Sequence, residues 1–147
     1  MEEAKNSFLN VVHYKKDPLY ETVTKIIKTQ VKPFFMDAEP LRVQLASLPP
    51  GGVISTHRDI GILTKIHRLH IPIITKEGVN FFVRKNKYYL EPEHLYDLNN
   101  VFMHSVTNNS DINRIHLLID MLPEKVGKIS THLDEKSHLE AIKKLIT

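Results

Sequence analysis

Cysteine and tryptophan are absent from the 147-residue chain, and glycine is scarce at 5. No apolar run approaches the roughly 18 to 20 residues of a membrane span. Without cysteine there are no disulfides, zinc fingers, iron–sulfur clusters or thiol catalysis, so any metal has to be held by nitrogen and oxygen. An excess of one charge is missing too. The 20 basic and 17 acidic residues leave a formal +3 with scattered lysines and no arginine-rich block, which gives no case for nucleic acid as a partner. The start, Met1-Glu2-Glu3-Ala4-Lys5, is acidic where a secretory signal is basic and then apolar. A soluble, cytoplasmic protein with no membrane partner is the expectation. With 41% apolar and 25% charged residues the composition is that of an ordinary globular chain, and the length suits a single domain over residues 1–147. What is abundant is histidine, at 9 residues, the commonest nitrogen ligand for metals.

Leu19, Tyr20, Val23, Ile26, Ile27 and Val31 recur at the spacing of one helical face, and Pro33 ends that pattern. From Leu41 the chain turns to short β-rich runs divided by turn residues, such as Pro49-Pro50-Gly51-Gly52, Lys76-Glu77-Gly78 and Asn108-Asn109-Ser110-Asp111. Eight strands are predicted, near Leu41 to Leu48, Val53 to His57, Ile66 to Ile74, Val79 to Arg84, Lys87 to Leu90, Leu95 to Leu98, Val101 to Thr107 and Arg114 to Met121. Leu139, Ile142, Leu145 and Ile146 return to helical spacing within Leu133 to Ile146. The pattern predicts a mainly β fold, one barrel with its core about 41–121, braced by an N-terminal and a C-terminal helix.

The first chemically pointed feature is His57-Arg58-Asp59. On an extended strand, residues i and i+2 share a face about 6 to 7 Å apart at the backbone, so an imidazole and a carboxylate can converge on one ion while Arg58 points away. Alone, a His-x-Asp is more often a surface pair than a metal site, so a further donor is needed. His104 supplies a third donor in another strand-like run. Two histidines and one carboxylate with open coordination positions form the arrangement of non-heme Fe(II) oxygenases. Arg114 opens a run that is apolar on both faces, where an idle guanidinium is costly and one that grips a carboxylate is not. In His67-Arg68-Leu69-His70-Ile71-Pro72, Arg68 and His70 share one face, directed either to solvent or to the barrel interior.

Four blocks carry a resemblance: Pro50-Gly51-Gly52-Val53-Ile54-Ser55-Thr56-His57-Arg58-Asp59, Arg68-Leu69-His70-Ile71-Pro72, His104-Ser105-Val106-Thr107-Asn108, and Arg114-Ile115-His116-Leu117-Leu118-Ile119-Asp120. In order and spacing they resemble the aspartyl/asparaginyl β-hydroxylase family, with the bacterial proline hydroxylases as the closer branch. The resemblance implies a double-stranded β-helix, the cupin-like jelly-roll barrel, that binds Fe(II) and 2-oxoglutarate. It implies a dioxygenase that hydroxylates a free amino acid or a peptide or protein side chain, with succinate and CO2 as coproducts. It also implies His57, Asp59 and His104 as iron ligands, Arg114 as clamp for the distal carboxylate of 2-oxoglutarate, and Arg68 and His70 as further cosubstrate contacts. Two departures stand out. Asp59 is present where the mammalian-type enzymes lack a carboxylate ligand, and Ala46, beside Ser47, falls where they carry a serine.

Other readings stay open on the residues alone. The same barrel serves cupin-type metal-binding proteins that hold Zn, Mn or Ni without 2-oxoglutarate, and a non-catalytic interaction module is the third possibility. His13, His94, His132 and His138 lie in polar surroundings and read as surface residues. His116 shares the Arg114 face and is a candidate for lining a substrate pocket.

Overall fold

A computed structural model describes residues 18–123. The helix expected over Leu133 to Ile146 lies outside the described residues, as do His13, His132 and His138. The order of elements is α1 (Tyr20–Ile26), extended by a π-helical turn (Ile27–Val31), then β1 (Ala38–Leu48), β2 (Val53–His57), a 3₁₀ segment (Gly61–Lys65), β3 (His67–Ile74), β4 (Val79–Val83), β5 (Asn86–Tyr88), β6 (Tyr96–Leu98), β7 (His104–Asn108) and β8 (Arg114–Pro123). The strands pair antiparallel in two four-stranded sheets, ordered β1-β8-β3-β6 and β2-β7-β4-β5. Consecutive strands mostly change sheet, and this interleaving makes the double-stranded β-helix, a jelly roll that leaves few free edges.

The helix exists to cover the outer face of the first sheet. Val23, Ile27 and Val31 recur every four residues and pack on Val43, Leu69, Ile71, Leu117, Ile119 and Met121. Lys32 N–H donates to the Ile27 carbonyl five residues back, at 2.8 Å, and this wider turn keeps Val31 on the stripe that ordinary helical drift would carry away. Leu69 and Ile119 are 0% exposed, so each contributes about 1.5–3 kcal/mol by burial.

Strand alternation sends the other set of side chains between the sheets. One end of that layer is apolar, with Leu48, Phe81, Leu90 and Val106 buried together. Much of the rest is polar: Arg42 and Gln44 from β1, Arg68 and His70 from β3, and Arg114, His116 and Asp120 from β8. At the entry to β2, Gly51 has φ +73°, and a Cβ on Gly52 would meet Leu48 Cδ1 at 2.7 Å and the Pro49 carbonyl at 2.8 Å. Only glycine fits there, and the turn fixes the phase in which β2 delivers His57.

The predicted strand from Val101 begins only at His104. Before it, Phe102 N–H bonds the Asn99 carbonyl at 3.2 Å, and the Asn100 carbonyl accepts from Asp59 N–H at 3.0 Å. Those groups are used in a turn, so the ladder starts late. The strand at Lys87 to Leu90 is likewise shorter, ending at Tyr88.

Candidate metal centre

β2 and β7 are neighbours, and their register sets His57 opposite His104, with ring centroids 4.3 Å apart. Asp59 does not share an extended strand with His57, because β2 ends at His57. The loop still returns its carboxylate to the same point, held by the Asp59 N–H bond to Asn100. The donor atoms available from His57, Asp59 and His104 all lie within 4.8 Å of one another, close enough for the three to converge on one ion.

The tautomers are fixed by the backbone. His57 Nδ1 lies 2.7 Å from the Ser55 carbonyl and His104 Nδ1 lies 2.8 Å from the Phe102 carbonyl. A carbonyl only accepts, so both Nδ1 atoms carry the proton and both Nε2 lone pairs are left for a metal. Asp59 is buried, and its Oδ2 accepts from Arg68 Nη1 at 2.9 Å. Two imidazoles and a carboxylate, with no sulfur, suit Fe(II) and related divalent ions.

A second pole lies deeper on the first sheet. Arg114 is 2% exposed, its Nη2 donates to His116 Nδ1 at 2.7 Å, and His70 Nδ1 is 3.5 Å from that same nitrogen. Burial pushes Arg114 down to about 10. Burial first, then the charge of Arg114, then His70, hold His116 far below the usual histidine range. His70 is pushed down by burial and then by Arg114, Arg68 and His104. Both imidazoles are therefore neutral, and Arg114 forms no ion pair among the described residues. Arg114 Nε and His116 Nε2 are buried without a hydrogen-bond partner. An unpaired guanidinium beside orphaned donors is the electrostatic profile of an anion site.

Arg68 links the two regions. Besides Asp59 it donates to Asp120 from Nε at 2.9 Å and Nη2 at 3.2 Å. Burial alone lowers its pKa, but bonding to Asp120 and the charges of Asp120 and Asp59 outweigh this and raise it. Arg68, His70 and His104, with Phe81, Val83, Leu98, Asn99 and Asn100, line a cavity of about 10 Å³, room for about one water.

Elsewhere, His94 is exposed, and His67 pairs with Asp97 at 2.7 Å on the face away from Arg68. Asp120 and Asn108 were given no role by the sequence. Asp120, 2% exposed, anchors Arg42 and Arg68. Asn108, 0% exposed, donates to the carbonyls of Leu48 and Ile112 at 2.9 and 2.8 Å and ties β7 to the start of β8. The signal for Asp120 was available: an acidic residue in an otherwise apolar run needs a partner as much as Arg114 does.

A jelly roll with a His-Asp-His cluster at one end is a cupin-like barrel with a candidate metal centre. More specifically, the chain belongs to the aspartyl/asparaginyl β-hydroxylase family, whose model matches residues 10–123. No curated protein matches the chain. Among solved structures it is similar to a cupin domain from Bordetella pertussis Tohama I, with 21% identity, a TM-score of 0.43, and coverage of 57% of this chain and 92% of that one. A Cupin 2 conserved barrel domain protein from Salinispora arenicola CNS-205 aligns with 12% identity and a TM-score of 0.46, over 65% of this chain and 82% of that one. Among the described residues no helix is long and apolar enough to cross a membrane.

Proposed function

We propose that the protein is an Fe(II)- and 2-oxoglutarate-dependent dioxygenase that hydroxylates an amino acid or an amino-acid side chain. The observation that carries this reading is the co-occurrence, in one barrel, of a His57-Asp59-His104 donor set and a buried, unpaired Arg114. His57 and His104 would hold the iron through Nε2 and Asp59 through one carboxylate oxygen. When bound, Fe(II) and 2-oxoglutarate would, with O2, supply the chemistry that hydroxylates an unactivated C–H bond, one oxygen atom going to the product and the other to succinate, with release of CO2.

The chain's own contribution is binding, orientation and exclusion of water. Arg114 and His116 offer Nε–H and Nε2–H to a distal carboxylate. Burial opposes the Arg114 charge and lowers its pKa to about 10, and a bound anion would offset that burial. Arg68 keeps two N–H groups beyond those bonded to Asp59 and Asp120, and His70 lines the same space, so both remain cosubstrate contacts in this reading. A dicarboxylate cannot enter a cavity of about 10 Å³ as it stands.

That closed interior favours a second reading, a cupin-type metal-binding protein without cosubstrate. One experiment separates the two. Iron-loaded protein is given 2-oxoglutarate, oxygen and a panel of amino acids and peptides, and succinate and a mass gain of one oxygen atom are measured. Succinate coupled to an oxygenated product is expected; metal binding with no succinate under any condition supports the cupin reading.

A further inference from the structure

Four charged groups form an unbroken chain through the barrel. Register aligns Arg42, Asp120 and Arg68 across β1, β8 and β3 on the inner face of the first sheet. Asp120 Oδ2 accepts from Arg42 at 2.9 Å from Nε and 2.7 Å from Nη2, while Arg68 spans both Asp120 oxygens. Arg68 then reaches out of the sheet to Asp59 Oδ2 at 2.9 Å. Two guanidinium and two carboxylate groups make the chain formally neutral, and one end of it is a residue of the metal cluster.

We propose that Asp120 is a positioning residue for the metal-binding carboxylate, acting through Arg68 to hold Asp59 with Oδ2 tied and Oδ1 free for the ion. The proposal rests on the reading of His57, Asp59 and His104 as a metal centre. Its physical basis is competition for one guanidinium. A guanidinium grips a lone carboxylate by two parallel bonds when nothing else holds it. Such a fork on Asp59 would occupy both oxygens and place a full positive charge against the ion. Asp120 prevents this by taking Nε and Nη2, so only Nη1 is left for Asp59. Asp59 therefore gains a fixed orientation, since it follows the end of β2 on a loop, and keeps its donor strength. Arg42 balances the second charge of the chain without touching Asp59.

The test is Co(II) affinity and the visible Co(II) spectrum of the full chain, with melting temperature followed in parallel. In wild type one Co(II) is expected, and Asp59→Asn supplies the spectrum of a centre that has lost its carboxylate. Asp120→Asn is expected to weaken Co(II) binding about 10- to 100-fold and to move the spectrum toward that of Asp59→Asn. Arg68→Lys, which keeps the charge but cannot bridge two carboxylates, is expected to do the same and carries the test if Asp120→Asn does not fold. Arg42→Gln removes the other partner of Asp120 and is expected to lower the melting temperature while leaving Co(II) affinity within about threefold. A merely structural network predicts the opposite pattern: all three variants lose melting temperature, and none changes affinity or spectrum, or all change together. Either result overturns the proposal. If wild type itself takes up no Co(II) or Fe(II), the metal-centre reading falls and the proposal with it; wild-type binding with unaffected Asp120→Asn and Arg68→Lys overturns the proposal alone.

Discussion

Each candidate iron ligand has its geometry settled by a backbone group nearby. The Ser55 and Phe102 carbonyls hold the Nδ1 protons of His57 and His104, and the Asn100 carbonyl holds the Asp59 amide. His57→Ala, Asp59→Ala and His104→Ala should each lower divalent-metal affinity by more than about 100-fold with the barrel still folded, measured by titration beside circular dichroism. Unaltered binding in any of them removes that residue from the centre. Arg114 has a different signature, because burial already opposes its charge. Arg114→Met keeps the volume and removes the buried cation, so it should fold at close to wild-type stability while 2-oxoglutarate no longer raises the melting temperature as it should in wild type. A ligand-induced shift that survives the substitution assigns the carboxylate to another cation. These residues were legible as types and spacing. Asp120 was legible only as an acid in need of a partner; that the partners are Arg42 on β1 and Arg68 on β3 was not, because no spacing within one segment reveals a neighbour across a sheet.

The elements divide the labour between the two faces of one sheet. Leu69 points outward to the helix, whereas Arg68 and His70, its neighbours in sequence, point into the barrel. Leu69→Ala should therefore cost about 2–5 kcal/mol in denaturant unfolding while leaving metal affinity unchanged in the folded protein. An equal loss of metal binding would mean that the outer core and the site are one unit. The turns and most strands were readable, since Pro49-Pro50-Gly51-Gly52 has few other uses and the apolar run after Arg114 marks a buried strand. The start of β7 was not. Asn99, Asn100 and Phe102 commit their backbone groups to a turn whose partner, Asp59, lies far away in sequence.

For the whole molecule, the polar interior couples stability to pH. His70 and His116 have folded pKa values lowered from the ordinary 6.5, so below that value the unfolded chain binds more protons than the native one. Stability from these two groups is complete above about pH 6.5 and is lost as pH falls, at about 1.4 kcal/mol per pH unit for each histidine. Denaturant melts between pH 6.5 and 5 should show this slope, and His116→Gln, which can still accept from Arg114, should remove about half of it. A flat profile in wild type would mean that water reaches these imidazoles.

The sequence by itself determined a mainly β chain without sulfur chemistry, the order of its strands, and a set of histidines, aspartates and arginines whose blocks resemble one family. Local spacing carries such information because side-chain periodicity and turn preferences depend on near neighbours. Which face of β3 meets the cavity, how closely the interior is filled, and the pairing of Asp120 with two arginines and so with Asp59 were decided only by the fold. Those properties depend on register between strands that are distant in the chain, and register is set when two sheets close on each other.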